Sequence, residues 1–220
     1  MKKIEQVVYT SMVALMGMTL PITALETSQL AAPICEKPAN LITEILSKRY
    51  SGYAYDSKRL VSADQLRAIL EAGRLAPSSY NEQPWRFIIC NRATNPAAYD
   101  KALSTLVEFN QNWAKNAPVL IISLADTQSS RTGMLNRWAQ YDTGAAAFSM
   151  MLEATSLGLM AHQMGGFDVE KMRKAFAIPS NFEPMAVMAI GFAASVENKQ
   201  KERKPLEENF FDGNWRQGFK

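Results

Sequence analysis

Between Thr143 and Phe167 the chain carries one formal charge, Glu153, and its apolar and small residues fall on every side of a helical wheel. A helix that is apolar all round has to be buried on all sides. A membrane span is the competing reading, but the Ala, Gly and Ser content, the charge at Glu153 and the strand-like runs on either side argue against it. A chain of 220 residues has one domain's worth of core. A helix covered on every face in so small a chain implies that a second copy supplies part of the cover.

The flanking patterns place this segment in an alternating arrangement. "SADQLRAILEAGRLAP" opens with a capping box, Ser62 to Gln65, and buries Leu66, Ile69 and Leu70 until Pro77 stops the helix. "WRFIIC", "PVLIISLA" (118–125) and "EPMAVMAIGFA" read as three buried strands. Further upstream, Asn40 is placed to cap a helix running through Arg49, with Ile42, Ile45 and Leu46 on one face. Arg49 continues that stripe. It either snorkels to solvent, pairs with a carboxylate, or meets an anion held inside.

Composition excludes several functions. A net charge of +3 is too small and too diffuse for nucleic acid. Cys35 and Cys90 lack metal spacing and make no disulfide framework, and the single histidine, His162, cannot build a multi-histidine metal site. No nucleophile elbow accompanies His162, and neither a Rossmann fingerprint nor a P-loop occurs. The leader (1–38) begins with Lys2 and Lys3 before "VVYTSMVALMGMTLPITAL", like an export signal or anchor, but it has Glu5 and no A-x-A site. It reads either as a signal or anchor, or as an extension beside the domain at 39–196. A last segment, 197–220, crosses the polar "ENKQKERK" and ends in Phe210, Phe211, Trp215 and Phe219. Such aromatics are costly to leave in water, so this arm docks either on its own subunit or on a partner.

Five blocks, "RYSGYAYD" (49–56), "APSSYNEQPWRF" (76–87), "FNQNWAKNAPVLII" (109–122), "HQMGGFD" (162–168) and "KERKPLEE" (201–208), together resemble the nitroreductase family of flavoproteins. The resemblance runs from residue 40 to residue 208, and P-S-S-x-N-x-Q-P-W followed by G-G-F-D is its most specific part. It implies an α+β fold with a mixed central sheet flanked by helices. It also implies an intertwined homodimer with exchanged C-terminal arms and two FMN sites at the interface.

On this resemblance, Arg49, Ser51, Lys201 and Arg203 gather round the flavin phosphate, a near-dianion that calls for fixed cations and donors, and Tyr50 and Tyr53 belong with the cofactor-binding residues. Pro77, Ser78, Ser79, Asn81 and Gln83 present main-chain and side-chain groups to the flavin ring from the opposite subunit. Asn110 lies near the ring, and Gly165 and Gly166 let the backbone approach N5 without a Cβ. Met164 and Gln163 line the site or fill the core. Trp85 is read as core packing. Two positions depart from the family pattern. Tyr53 and Trp113 stand where cations are usual, near the ring edge on which reduced flavin gathers negative charge.

The implied activity is an FMN-dependent oxidoreductase. It takes hydride from NAD(P)H and reduces an electron-poor acceptor such as a nitroaromatic, quinone or enone by a ping-pong mechanism. No side chain acts as nucleophile and no metal takes part. Alternatives are reductive dehalogenation or flavin-processing chemistry on the same fold, or a non-catalytic flavin-binding protein. Without a twin-arginine pair, a folded flavoprotein has no export route through the leader, which favours the cytoplasm, with export as the alternative. A chain starting near Pro38 is expected to fold, dimerise and bind FMN.

Overall fold

The structure is a computed structural model and describes residues 42–195 and 201–219. The leader, Asn40, Cys35 and the centre of the polar linker lie outside the described residues. The elements run α1 (Glu44–Lys48), α2 (Ala63–Arg74), a 3-10 turn (Ser79–Asn81), β1 (Trp85–Asn91), α3 (Pro96–Thr105), α4 (Glu108–Ala114), β2 (Val119–Asp126), α5 (Ala139–Ser156), β3 (Met160–Met164), α6 (Val169–Phe176), β4 (Phe182–Gly191) and α7 (Leu206–Asn209).

Local chemistry sets many of these boundaries. The capping box at α2 is present in both directions, with Gln65 N donating to Ser62 Oγ and Ser62 N donating to Gln65 Oε1, each at 3.1 Å. Asn95 caps α3 by accepting from Ala98 N at 3.0 Å, with Pro96 opening the helix. Asp168 does the same for α6, accepting from Lys171 N at 2.9 Å.

The four strands form one sheet in the order β1-β2-β4-β3. The α+β class with flanking helices holds. The expected mixed sheet does not: among the described residues every pairing is antiparallel, with Ile88 facing Ile122, Ile122 facing Val187 and His162 facing Ala189. Alternation along β2 feeds two cores. Leu120, Ile122 and Leu124 pack with Tyr99, Ala102, Trp113 and Met172 beneath α3, α4 and α6. Val119 and Ile121 pack with Ile69, Ala147, Met150 and Ala154 beneath α2 and α5. Trp85 is buried with Ala76 and Ala146, as core packing requires.

The long apolar segment is not one helix. It breaks after Ser156, where Leu157 caps the end and Gly158 turns the chain at φ +73°, a left-handed value that suits glycine. The remainder supplies edge strand β3. Nor is α5 covered on every side within the chain: Tyr141 is 76% exposed and Phe148 42%. These two lie seven positions apart on one face, so an apolar stripe is left open. The first helix is also shorter than expected. Arg49 is its C-cap with extended backbone angles, so the direction of Arg49 is set by the strand-like segment after the helix and not by a helical stripe. Among the described residues no helix is long and apolar enough to cross a membrane.

Candidate flavin-nucleotide site

The segment after α1 leaves the helix extended and lies along the β3–β4 side of the sheet. Tyr55 bridges to Ala193, and Ala194 N donates to Ala54 O at 3.0 Å. This places Arg49, Tyr50 and Ser51 on the wall of a cavity of about 520 Å³ that also takes in Ile42, Leu46, Lys201 and Arg203. The four residues expected at the phosphate, Arg49, Ser51, Lys201 and Arg203, are thus brought together, with Tyr50 beside them. Among the described residues none of the three cations has an ion-pair partner, whereas neighbouring Lys204 is paired with Glu208 at 3.4 Å. That pairing distinguishes Lys201 and Arg203 from Lys204 as the cations available to the cavity. A Ser51 hydroxyl lies 3.4 Å from Arg49 Nη1. Three uncompensated cations and a hydroxyl on one wall are a donor set for an anion with several oxygens.

A second cavity of about 310 Å³ shares Tyr50, Ser51 and Lys201 with the first and extends past Gly52, Tyr53, Met160 and Ser195. Tyr53 roofs a cluster of rings. It lies 5.2 Å from Trp113, 5.1 Å from His162 and 5.9 Å from Phe109, centroid to centroid. At the two positions where the resemblance led one to look for cations, the chain therefore has two rings in edge contact. Trp113 is buried and its indole N–H has no hydrogen-bond partner among the described residues.

Asn110 and the glycine pair meet directly. Asn110 Nδ2 donates to Gly166 O at 3.0 Å, and Val107 N donates to the same carbonyl at 3.0 Å. The two glycines serve different ends. A Cβ on Gly166 would stand 2.7 Å from Asn110 Nδ2 and 2.9 Å from Val107 Cγ2, so its glycine is needed for packing. A Cβ on Gly165 would meet nothing within 4 Å, which leaves its backbone open to a flat group. Met164 is buried in the core, and Gln163 turns to α5, where its Nε2 lies 3.0 Å from Met151 Sδ.

The loop carrying Pro77, Ser78, Ser79, Asn81 and Gln83 is rigid and strained. Tyr80, Asn81 and Gln83 have φ of 53°, 57° and 48°, values that cost a non-glycine residue and persist only when neighbours enforce them. The enforcing contacts are Ser79 N to Asp142 Oδ2 at 3.0 Å, Gln83 N to Ser78 Oγ at 3.0 Å and Gln83 Nε2 to Asn81 O at 3.0 Å. Glu82 anchors the turn from below, accepting from Ser129 Oγ at 2.6 Å and Asn136 Nδ2 at 3.2 Å. Arg131 stacks over Tyr80 at 3.9 Å. The sequence reading did not find Asp142, Glu82, Ser129 or Asn136. Their partners are far off in the chain, and no local pattern marks them.

The expected site residues fall into two groups at opposite edges of the sheet. The loop at 77–83 leads into β1, one outer strand. The segment 49–53 and the glycine pair belong with β3, the other outer strand. None of the loop residues lines the cavity at Arg49, Lys201 and Arg203.

Cys90 is a buried free thiol, and burial pushes its pKa up to about 11. Among the described residues no group of three or more His, Cys, Asp or Glu could hold a metal ion. The fold is α+β, with a cavity lined by Arg49, Ser51, Lys201 and Arg203. The chain belongs to the nitroreductase family, whose family model matches residues 46–192. It is 32% identical over 140 residues to a protein of Archaeoglobus fulgidus provisionally named an NADH dehydrogenase/NAD(P)H nitroreductase, covering 62% of this chain and 76% of that one. Among solved structures it resembles an oxidoreductase containing FMN, with a TM-score of 0.73 and 29% identity over 81% of this chain and 95% of the other. It also resembles a provisionally named nitroreductase of Desulfovibrio desulfuricans in complex with FMN, with a TM-score of 0.66 and 28% identity over 80% of this chain and 99% of the other.

Proposed function

We propose that the protein is an NAD(P)H-dependent, nitroreductase-type oxidoreductase with FMN as its cofactor, and that it reduces an electron-poor small molecule such as a nitroaromatic, quinone or enone. The observation that carries the reading is the cavity at Arg49, Lys201 and Arg203, whose three cations lack ion-pair partners among the described residues. The residues fit the group. The cations and Ser51 would hold its phosphate, and Gly165 leaves room for a ring edge against backbone. When bound, FMN supplies the redox chemistry, accepting hydride from the reduced nicotinamide and passing it to the acceptor in two half-reactions.

The chain's own residues bind and orient. Arg49, Lys201 and Arg203 neutralise the phosphate. Asn110 fixes the Gly166 carbonyl, which keeps the glycine pair in one conformation. The rings of Tyr53 and Phe109 form an apolar wall near the glycine pair, suited to a flat acceptor. The loop at 77–83 lies at the other edge of the sheet, so a site that uses both groups needs two copies of the chain. A homodimer with exchanged arms is supported by the open stripe on α5 and by the C-terminal arm. In that arm Trp215 is 79% exposed, and the Phe211–Trp215 ring contact joins two residues of the arm itself.

Absorbance of the purified protein between 350 and 500 nm (about the range of oxidised flavin), followed by anaerobic titration with NADH and NADPH, tests the proposal. Bound flavin bleached by either nicotinamide and restored by a quinone is the expected result. Protein that takes up no added FMN overturns it, and bound flavin that neither nicotinamide reduces leaves a flavin-binding protein without this activity.

A further inference from the structure

The structure assigns His162 a positioning role: through one hydrogen bond to Gly52 it holds the phosphate-binding segment in place against the strand that leads to the glycine pair. The inference rests on the flavin-nucleotide reading and adds a residue to it.

The geometry is specific. His162 Nδ1 lies 2.9 Å from Gly52 O across 110 residues of chain. A carbonyl oxygen only accepts, so Nδ1 carries the proton and donates, and the neutral ring is the Nδ1–H tautomer. Gly52 stands between Ser51 and Tyr53, inside the segment that supplies Arg49, Tyr50 and Ser51 to the phosphate cavity. The approach of that segment to β3 is close. A Cβ on Gly52 would come within 2.7 Å of Met160 Sδ and 2.7 Å of the Tyr50 ring. Three residues beyond His162, the same strand runs out into Gly165 and Gly166.

The ring also belongs to a three-ring cluster. Trp113 lies 4.8 Å away and Tyr53 5.1 Å away, centroid to centroid, and those two rings are 5.2 Å from each other. These contacts pack the imidazole against its neighbours while its N–H faces the Gly52 carbonyl. Histidine also suits the electrostatics. Three cations line the adjoining cavity, and Lys201 is near enough to act on the ring. A lysine or arginine could reach the same carbonyl but would add a fourth positive charge beside those three. A neutral imidazole donates without one. Burial first, and Lys201 after it, lower the pKa of His162 and keep it neutral near pH 7, against the opposing pull of the Gly52 hydrogen bond.

The consequence is a prediction about phosphate and not about the ring of the ligand. Loosening the Gly52 carbonyl frees the segment 49–51, so the phosphate contacts weaken while contacts to the isoalloxazine remain. His162→Phe keeps a ring packed against Trp113 and Tyr53 and removes the donor. His162→Asn removes the ring but places an amide N–H at the Nδ1 position. His162→Leu is a second donorless variant in case the Phe form does not fold. FMN and riboflavin affinities are measured at pH 8 by quenching of flavin fluorescence, with melting temperature and circular dichroism to confirm folding.

One hydrogen bond lost corresponds to about tenfold weaker FMN binding in the Phe and Leu variants. Riboflavin binding changes by less than about twofold, within ordinary context effects, and the Asn variant recovers most of the FMN affinity. Unchanged FMN affinity in a folded donorless variant overturns the proposal. So does equal loss of FMN and riboflavin, or an Asn variant as weak as the Phe variant. Wild-type protein that binds no FMN overturns the flavin reading itself and this inference with it.

Discussion

Replacing Arg49 by alanine is the sharpest probe of the phosphate cavity. Among the described residues its guanidinium makes one side-chain hydrogen bond, to Ser51 Oγ at 3.4 Å, which is at the outer limit of a hydrogen bond and contributes little to folding. Among the described residues it has no carboxylate partner. Removal therefore leaves no buried anion unpaired, and the folding stability of Arg49→Ala is expected to stay within about 0.5 kcal/mol of wild type. Ligand binding loses a charge-assisted hydrogen bond to phosphate, worth about 1.5–3 kcal/mol. At 1.4 kcal/mol per decade that is roughly a 10- to 150-fold weaker FMN dissociation constant. Lys201 and Arg203 remain to hold part of the charge. Riboflavin, which has no phosphate, should bind the variant about as well as it binds wild type. Fluorescence-quenching titrations with both ligands, repeated at about 0.05 and 0.3 M salt, give the answer. The FMN difference should narrow at the higher salt, because Arg49 is only half-buried and its attraction to phosphate is partly screened on the ~10 Å scale set by the Debye length. Equal losses for FMN and riboflavin, or a large drop in melting temperature, would falsify the reasoning and return Arg49 to a structural role.

Further outcomes follow from particular residues. Gly166→Ala should destabilise the fold by about 1–3 kcal/mol, because its Cβ would press on Asn110 and Val107. Gly165→Ala should leave melting unchanged and weaken FMN retention alone; a destabilised Gly165→Ala or a neutral Gly166→Ala would contradict the roles given to the two glycines. Removing residues 209–220 takes away an arm whose Phe210, Trp215 and Phe219 are all exposed, so the single-chain core should keep its fold while dimerisation and FMN retention fall. A flavin-loaded dimer of unchanged stability in sedimentation runs would dispose of the arm's proposed docking. His162 gives a pH signature. Its folded pKa is lowered, chiefly by burial, so between that value and the unfolded value of about 6.5 the unfolded chain binds more protons. Its contribution to stability is full above about pH 6.5 and is lost as pH falls toward the folded pKa. Urea midpoints measured from pH 8 to pH 5 should fall more steeply in wild type than in His162→Asn, and parallel curves would exclude the effect.

Much of this molecule is legible in its sequence because the signals are local. The capping box at Ser62 and Gln65 and the apolar runs of β1, β2 and β4 each act within a few residues. So do the conformational freedom of Gly165 and the clustering of Arg49 with Ser51. The five blocks that resemble the family are likewise continuous stretches, and they name the site residues before any contact between them is known.

What the tertiary structure decided is long-range. Met160–Met164 reads as part of an apolar helix until Gly158 ends α5 and β4 offers a free edge. A short apolar run has no pattern of its own to separate the two, so the choice falls to its pairing partner. The antiparallel order β1-β2-β4-β3 depends on which strands find each other across the sheet. That order separates the loop at 77–83 from Arg49 and Ser51. Glu82 and Asp142 became visible as supports of that loop only when residues 47 and 63 positions away closed on them. His162 is the clearest case. In sequence it is one histidine in an apolar stretch. Only the fold, by packing β3 against the segment at Gly52, turns its ring N–H into a link across 110 residues, because a hydrogen bond between distant segments depends on packing that no local propensity encodes.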